Sequence, residues 1–174
     1  MSNENRPSVL KRETLMKTLQ SCVDEVFSMM VSSFKEAAVK SVEVVPPRDE
    51  TKIRFREDKA TEAVDVDKQV SIGFEGDASG RVVLRCSVDS ADSIARGLLM
   101  MDDSEVLELA AVTDALGECA NMLAGSLKTK ALDPVGSFHL GLPDFSDPRP
   151  NGEMEGALVY RVAQGVMSVE VWLD

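Results

Sequence analysis

Residues 70–86 read VSIGFEGDASGRVVLRC, two apolar runs, Val70 to Phe74 and Val82 to Cys86, set either side of EGDASG. Glycine, aspartate and serine between short apolar runs are turn chemistry, and Gly76 and Gly80 can take positive φ, so the stretch predicts a β-hairpin. A hairpin needs cover for its apolar face, and the sequence supplies helices on both sides of it. Upstream, Leu15, Leu19, Cys22, Val26, Met30 and Phe34 recur at spacings of 4, 3, 4, 4 and 4, which predicts a helix over 8–40. Downstream, Ile94, Leu98 and Met101 predict a short helix over 90–101. Asp102 then stands three residues before Glu105, a capping-box spacing that predicts a third helix from there to about Lys130, ending before Asp133-Pro134.

Beyond that proline, apolar or alternating runs at 137–142, 157–163 and 166–173 predict three strands, with Gln164-Gly165 as the tight turn between the last two and 141–155 as a loop. Between the first helix and the hairpin, a short strand is expected at Val42 to Val45. The rest of 41–67, with Pro46, Pro47 and the charge-dense DETKIRFREDK, reads as an irregular exposed connection. This order of elements predicts an α+β fold with long helices packed on one face of a largely antiparallel sheet. One domain over residues 1–174 suits the length, with 1–7 a disordered N-terminus.

Composition narrows the function. Nineteen Lys and Arg against thirty Asp and Glu leave a net charge of −11, so nucleic acid and anionic membrane are poor partners. No apolar stretch approaches a membrane span and the polar N-terminus has no signal core, which predicts a cytoplasmic protein. Cys22, Cys86 and Cys119 are widely spaced and read as reduced core thiols, and His139 is the single histidine, so a multi-histidine metal centre is excluded. In the alternating SFHLGLP, His139 falls on the face opposite Phe138, Leu140 and Leu142, a surface position. Trp172, Tyr160 and the nine methionines read as packing residues.

The third helix carries the chemistry. At about 100° per residue and with Asp114 at zero, Glu118 falls near 40°, Asn121 near −20° and Gly125 near 20°, one narrow polar stripe. Leu109, Val112, Leu116, Cys119, Leu123 and Leu127 occupy the opposite side and predict the buried face. Gly117 and Gly125, on or near the outward side, are unfavourable inside a helix and suggest that something approaches closely there. By spacing alone the stripe is a solvated helix face, or two carboxylates and an amide able to contribute to an oxygen-rich cation site.

Asp114, Glu118, Asn121 and Pro143 also fit the pattern D/S-x3-E-x2-N-x21-P, which resembles the signature of the CheC, CheX and FliY phosphatases of bacterial chemotaxis. GECANMLAGSLKTKAL is similar to the CheX version of that helix, and the single E-x2-N stripe favours a CheX-like assignment over the two-stripe CheC pattern. The resemblance implies hydrolysis of the aspartyl phosphate on a CheY-like response-regulator receiver domain. Asn121 would orient the attacking water and Glu118 would dock to the receiver's lysine. Asp114, Glu118 and Gly125 would contact the partner, and Pro143 would be structural. No metal or cofactor of the chain's own is implied; Mg²⁺ is expected in the receiver. A homodimer is suggested, and the rival reading is a non-catalytic adaptor of the same fold, binding a receiver or another signalling or motor protein.

Overall fold

The computed structural model describes residues 12–30, 41–44, 52–57, 60–146 and 152–174. The expected disordered tail, both ends of the first helix, and the two prolines after the first strand lie outside them. Described are α1 (Arg12–Met30), β1 (Ser41–Val44), β2 (Lys52–Glu57), β3 (Ala60–Asp65), β4 (Lys68–Gly76), β5 (Gly80–Cys86), α2 (Val88–Leu99), α3 (Leu109–Leu127), β6 (Phe138–Asp144), β7 (Glu153–Val162) and β8 (Gly165–Leu173). A π-helical turn, Lys128–Leu132, closes α3. The eight strands stand in the order β3-β2-β1-β7-β8-β5-β4-β6, and every pairing is antiparallel. The α+β architecture expected from the element order is therefore present.

The helices share one face of the sheet. Leu15, Leu19 and Cys22 of α1, Ile94 of α2 and Leu116, Cys119 and Leu123 of α3 join Val70, Ile72, Val82, Leu84, Tyr160 and Val169 in one buried cluster. On the other face, Ile53 and Phe55 of β2 pack with Val159 and Val166, so the β1–β3 end of the sheet rolls over the back of β7 and β8. The back also holds a polar set. Arg85 and Glu170 lie 3.4 Å apart with both side chains buried, and Glu170 accepts hydrogen bonds from Ser168 Oγ and Trp172 Nε1. Trp172 is thus a hydrogen-bond donor as well as a packing residue.

The β4–β5 hairpin forms as expected, but its glycines serve different ends. Gly76 has φ +158, and a Cβ there would stand 1.9 Å from the Ser137 carbonyl oxygen, whereas Gly80 is needed for closeness alone, against the Trp172 carbonyl and the Phe74 ring. Four other expectations are corrected. The stretch 41–67 is not an irregular connection: Lys52 to Glu57 pairs residue by residue with Asp65 to Ala60 as an antiparallel hairpin. Its charges alternate with Ile53 and Phe55, which are buried, so a two-residue period was hidden in what read as charge density. The third helix starts at Leu109 rather than Asp102. Glu105 does reach back to the Asp102 amide at 2.6 Å, but the Arg96 guanidinium takes the carbonyls of Asp102 and Glu105 at 2.8 and 3.1 Å. Those acceptors are what a helix beginning there would need for its own ladder. The β7–β8 turn sits at Ala163-Gln164, one residue early, with Ala163 at φ 53. Finally, strand structure enters the expected 141–155 loop from both ends, since β6 runs to Asp144 and β7 begins at Glu153.

Candidate functional site

Asp114, Glu118 and Asn121 are all exposed along the outer side of α3, and Gly125 is half-buried. Val112, Leu116, Cys119, Leu123 and Leu127 are buried against the sheet. The helical stripe is therefore oriented as its periodicity requires, except at Leu109, which is 64% exposed because the first turn of α3 projects beyond the core. None of the three polar side chains makes a hydrogen bond or ion pair with another described residue. Their donors and acceptors are available to a second molecule.

The two glycines have separate roles. A Cβ on Gly125 would meet nothing within 4 Å, so that part of the stripe is open. One on Gly117 would stand 3.3 Å from Phe145 Cζ and 3.7 Å from Pro143 Cβ and Cγ. The close approach at Gly117 is thus made by the protein's own β6. A bulge arranges it. Phe74 pairs with Leu140 and Ile72 with Pro143, so Gly73 faces both Gly141 and Leu142. That extra residue shifts the alternation, turning Pro143 and Phe145 toward α3 and leaving Leu142 86% exposed. Leu142 was expected on the face of Phe138 and Leu140, and the bulge is the reason that it is not. His139 is exposed, as the alternation predicts. Phe145, inside the expected loop, is the residue of this neighbourhood that the sequence reading missed, because the β6 bulge that turns it toward Gly117 leaves no local sequence signal.

The helix is fixed at its C-terminal end. Ser126 Oγ donates to Glu25 at 3.0 Å, and Lys130 Nζ stands 2.5 Å from the same carboxylate. The hydrogen bond from Lys130, then that from Ser126, hold the Glu25 carboxyl below its ordinary range. A surface cleft of about 670 Å³ lies beyond this end, lined by Lys128, Asp133, Gly136, Ser137, Phe138, His139 and Leu140. The stripe lies outside it, on the convex surface of a helix, a shape suited to a protein partner more than to enclosing a small molecule. Among the described residues, no group of three or more His, Cys, Asp or Glu is gathered as a metal site. None of the described helices is long and apolar enough to cross a membrane.

Residues 69–150 match the family model of the chemotaxis phosphatase CheX, a stretch that contains Asp114, Glu118, Asn121 and Pro143. That stretch is similar to CheX. The whole chain also superposes on solved structures. The chemotaxis protein CheX of Desulfovibrio desulfuricans matches with TM-score 0.65 and 16% identity, over 92% of this chain and 99% of that one. CheX of Vibrio vulnificus matches with TM-score 0.62 and 16% identity, over 94% and 99%. The CheX–CheY–BeF3–Mg complex of Borrelia burgdorferi matches with TM-score 0.57 and 13% identity, over 90% and 96%. At such identities these likenesses establish the fold. No curated protein sequence matches the chain significantly.

Proposed function

We propose that this chain stimulates hydrolysis of the aspartyl phosphate on a CheY-like receiver domain. The observation that carries the reading is the pair Glu118 and Asn121. They are exposed, without a hydrogen-bonding partner among the described residues, and set on a convex helix within the stretch that matches CheX. The solved complex of a similar fold with CheY supports the choice of partner.

In the reaction, a water oxygen attacks phosphorus, the bond from phosphorus to the aspartyl oxygen breaks, and the products are inorganic phosphate and a free carboxylate. The water's proton leaves with the phosphate. Asn121 accepts a hydrogen bond from the water through its amide oxygen and donates from its NH₂ toward the phosphoryl group, which aligns the nucleophile without ionising. Glu118, one turn away, pairs with the receiver's lysine and fixes the register of docking. Asp114 and Gly125 border the contact, and Pro143 holds β6 against the helix. Mg²⁺ enters with the receiver as part of the substrate. The test is phosphate release from a purified CheY-like receiver charged by acetyl phosphate and Mg²⁺. The expected result is release well above the receiver's own rate, with no hydrolysis of small phosphate esters when the receiver is left out. An adaptor would bind the receiver and leave its rate unchanged.

A further inference from the structure

Phe145 is 45% exposed, and its place is set by the helix on one side of the ring and by the hydrogen-bonded backbone next to it in the chain. Its ring rests over Gly117, where a Cβ would come within 3.3 Å of Cζ. Behind it, Pro143 and Asp144 are paired to Ile72 and Ser71 of β4. The turn that presents it is closed by Asp144, whose Oδ1 accepts from the Ser146 amide at 2.8 Å and from Ser146 Oγ at 2.5 Å. The Ser146 hydroxyl and then its amide keep the Asp144 carboxyl below its ordinary range. Gly117 lies three residues after Asp114 and four before Asn121, which makes it the surface neighbour of both. A rigidly mounted aromatic therefore stands at the border of the polar stripe, with one side on the helix and the other in water.

We infer that Phe145 is a docking anchor of the stripe, covered by the receiver domain when Asn121 engages its phosphoryl group. The inference rests on the proposed function and adds a residue to it. The occupant follows from position and charge. A surface placed over Asn121 and Glu118 also crosses the adjoining ring, and Gly125 leaves the line of the stripe clear for a close approach. With a net charge of −11 and carboxylates on the stripe, the chain has no charge attraction to the anionic phosphoryl group itself. Affinity must come from short-range contacts, and a pre-positioned aromatic supplies them at little cost in ordering.

The experiment is steady-state phosphate release against concentration of the phosphorylated receiver, for wild type, Phe145→Ala, Phe145→Asp and Phe145→Leu, with each variant's melting curve and oligomeric state measured. Binding to the receiver loaded with beryllofluoride and Mg²⁺ is read in parallel. Phe145→Ala should raise KM and the dissociation constant about tenfold with kcat within about twofold, Phe145→Asp should raise them further, and Phe145→Leu should restore most of the loss. Phe145→Ser carries the charge-free arm if the aspartate variant does not fold. Unchanged KM in folded Ala and Asp variants overturns the anchor while leaving the phosphatase reading in place, as does a loss confined to kcat. Dissociation of a dimer by Phe145→Asp with KM unmoved makes a second copy the occupant and also overturns it. A wild-type chain that releases no phosphate overturns both readings.

Discussion

Among the described residues, the side chains of Glu118 and Asn121 have nothing of their own to hold. Glu25 is engaged by Ser126 and Lys130, Asp133 by Lys128, and Glu170 by Ser168 and Trp172, whereas the stripe's side chains have no partner among the described residues. That contrast gives the Glu118 assignment a clean test, because its removal disturbs no bond to another described residue. Glu118→Ala should weaken binding to the beryllofluoride-loaded receiver by about tenfold and Glu118→Lys by more, with melting temperatures within a degree or so of wild type. Isothermal titration checks it, and unaltered binding by both variants rejects the contact. At this scale the stripe was legible because a helix repeats its faces every three or four residues, so Asp114, Glu118, Asn121 and Gly125 align without any tertiary knowledge. Phe145 was not legible, since its place over Gly117 depends on a bulge opposite Gly73 that no local pattern encodes.

Among the elements, α3 shows the tension between a good helix and a useful one. Gly125 lies in its interior, near the stripe, and a Cβ there would meet nothing within 4 Å. Gly125→Ala should accordingly stabilise the fold by about 0.5–1 kcal/mol, read as a higher urea midpoint with unchanged slope. If the partner passes close over that position, the same variant should raise KM for the phosphorylated receiver; stabilisation with unchanged KM would remove Gly125 from the contact surface. The helices and the central hairpin were readable from periodicity. The errors fell where a tertiary contact overrode a local signal: Arg96 claimed the carbonyls on which a helix from Asp102 would have depended, and the period-two pattern of β2 was obscured by charges that face outward from a rolled sheet edge.

For the whole molecule, the sheet order places β4, β5 and β8 under the helices and leaves β6 at one edge, beside α3. No sequence pattern yields that order, because strands far apart in the chain, such as β1 and β7, become neighbours. The core it encloses takes in all three cysteines. Burial pushes the Cys86 thiol up to about 12 and raises those of Cys22 and Cys119. A raised pKa means the thiolate is scarce below it, about one part in 10⁴ for Cys86 at pH 8. The native protein should therefore react with a thiol reagent at pH 8 only at its rate of opening, and all three thiols should become reactive together in denaturant. Fast labelling of a folded chain would contradict that core. The fold, in this account, exists to hold one carboxamide against a phosphoryl group carried by another protein. The most direct measurement is the rate of phosphate release at saturating phosphorylated receiver for wild type and Asn121→Ala, with both shown to be folded. The account predicts a loss on the order of 10²-fold, about 2.7 kcal/mol of barrier, with the melting temperature nearly unchanged. Near-normal release by Asn121→Ala would contradict it.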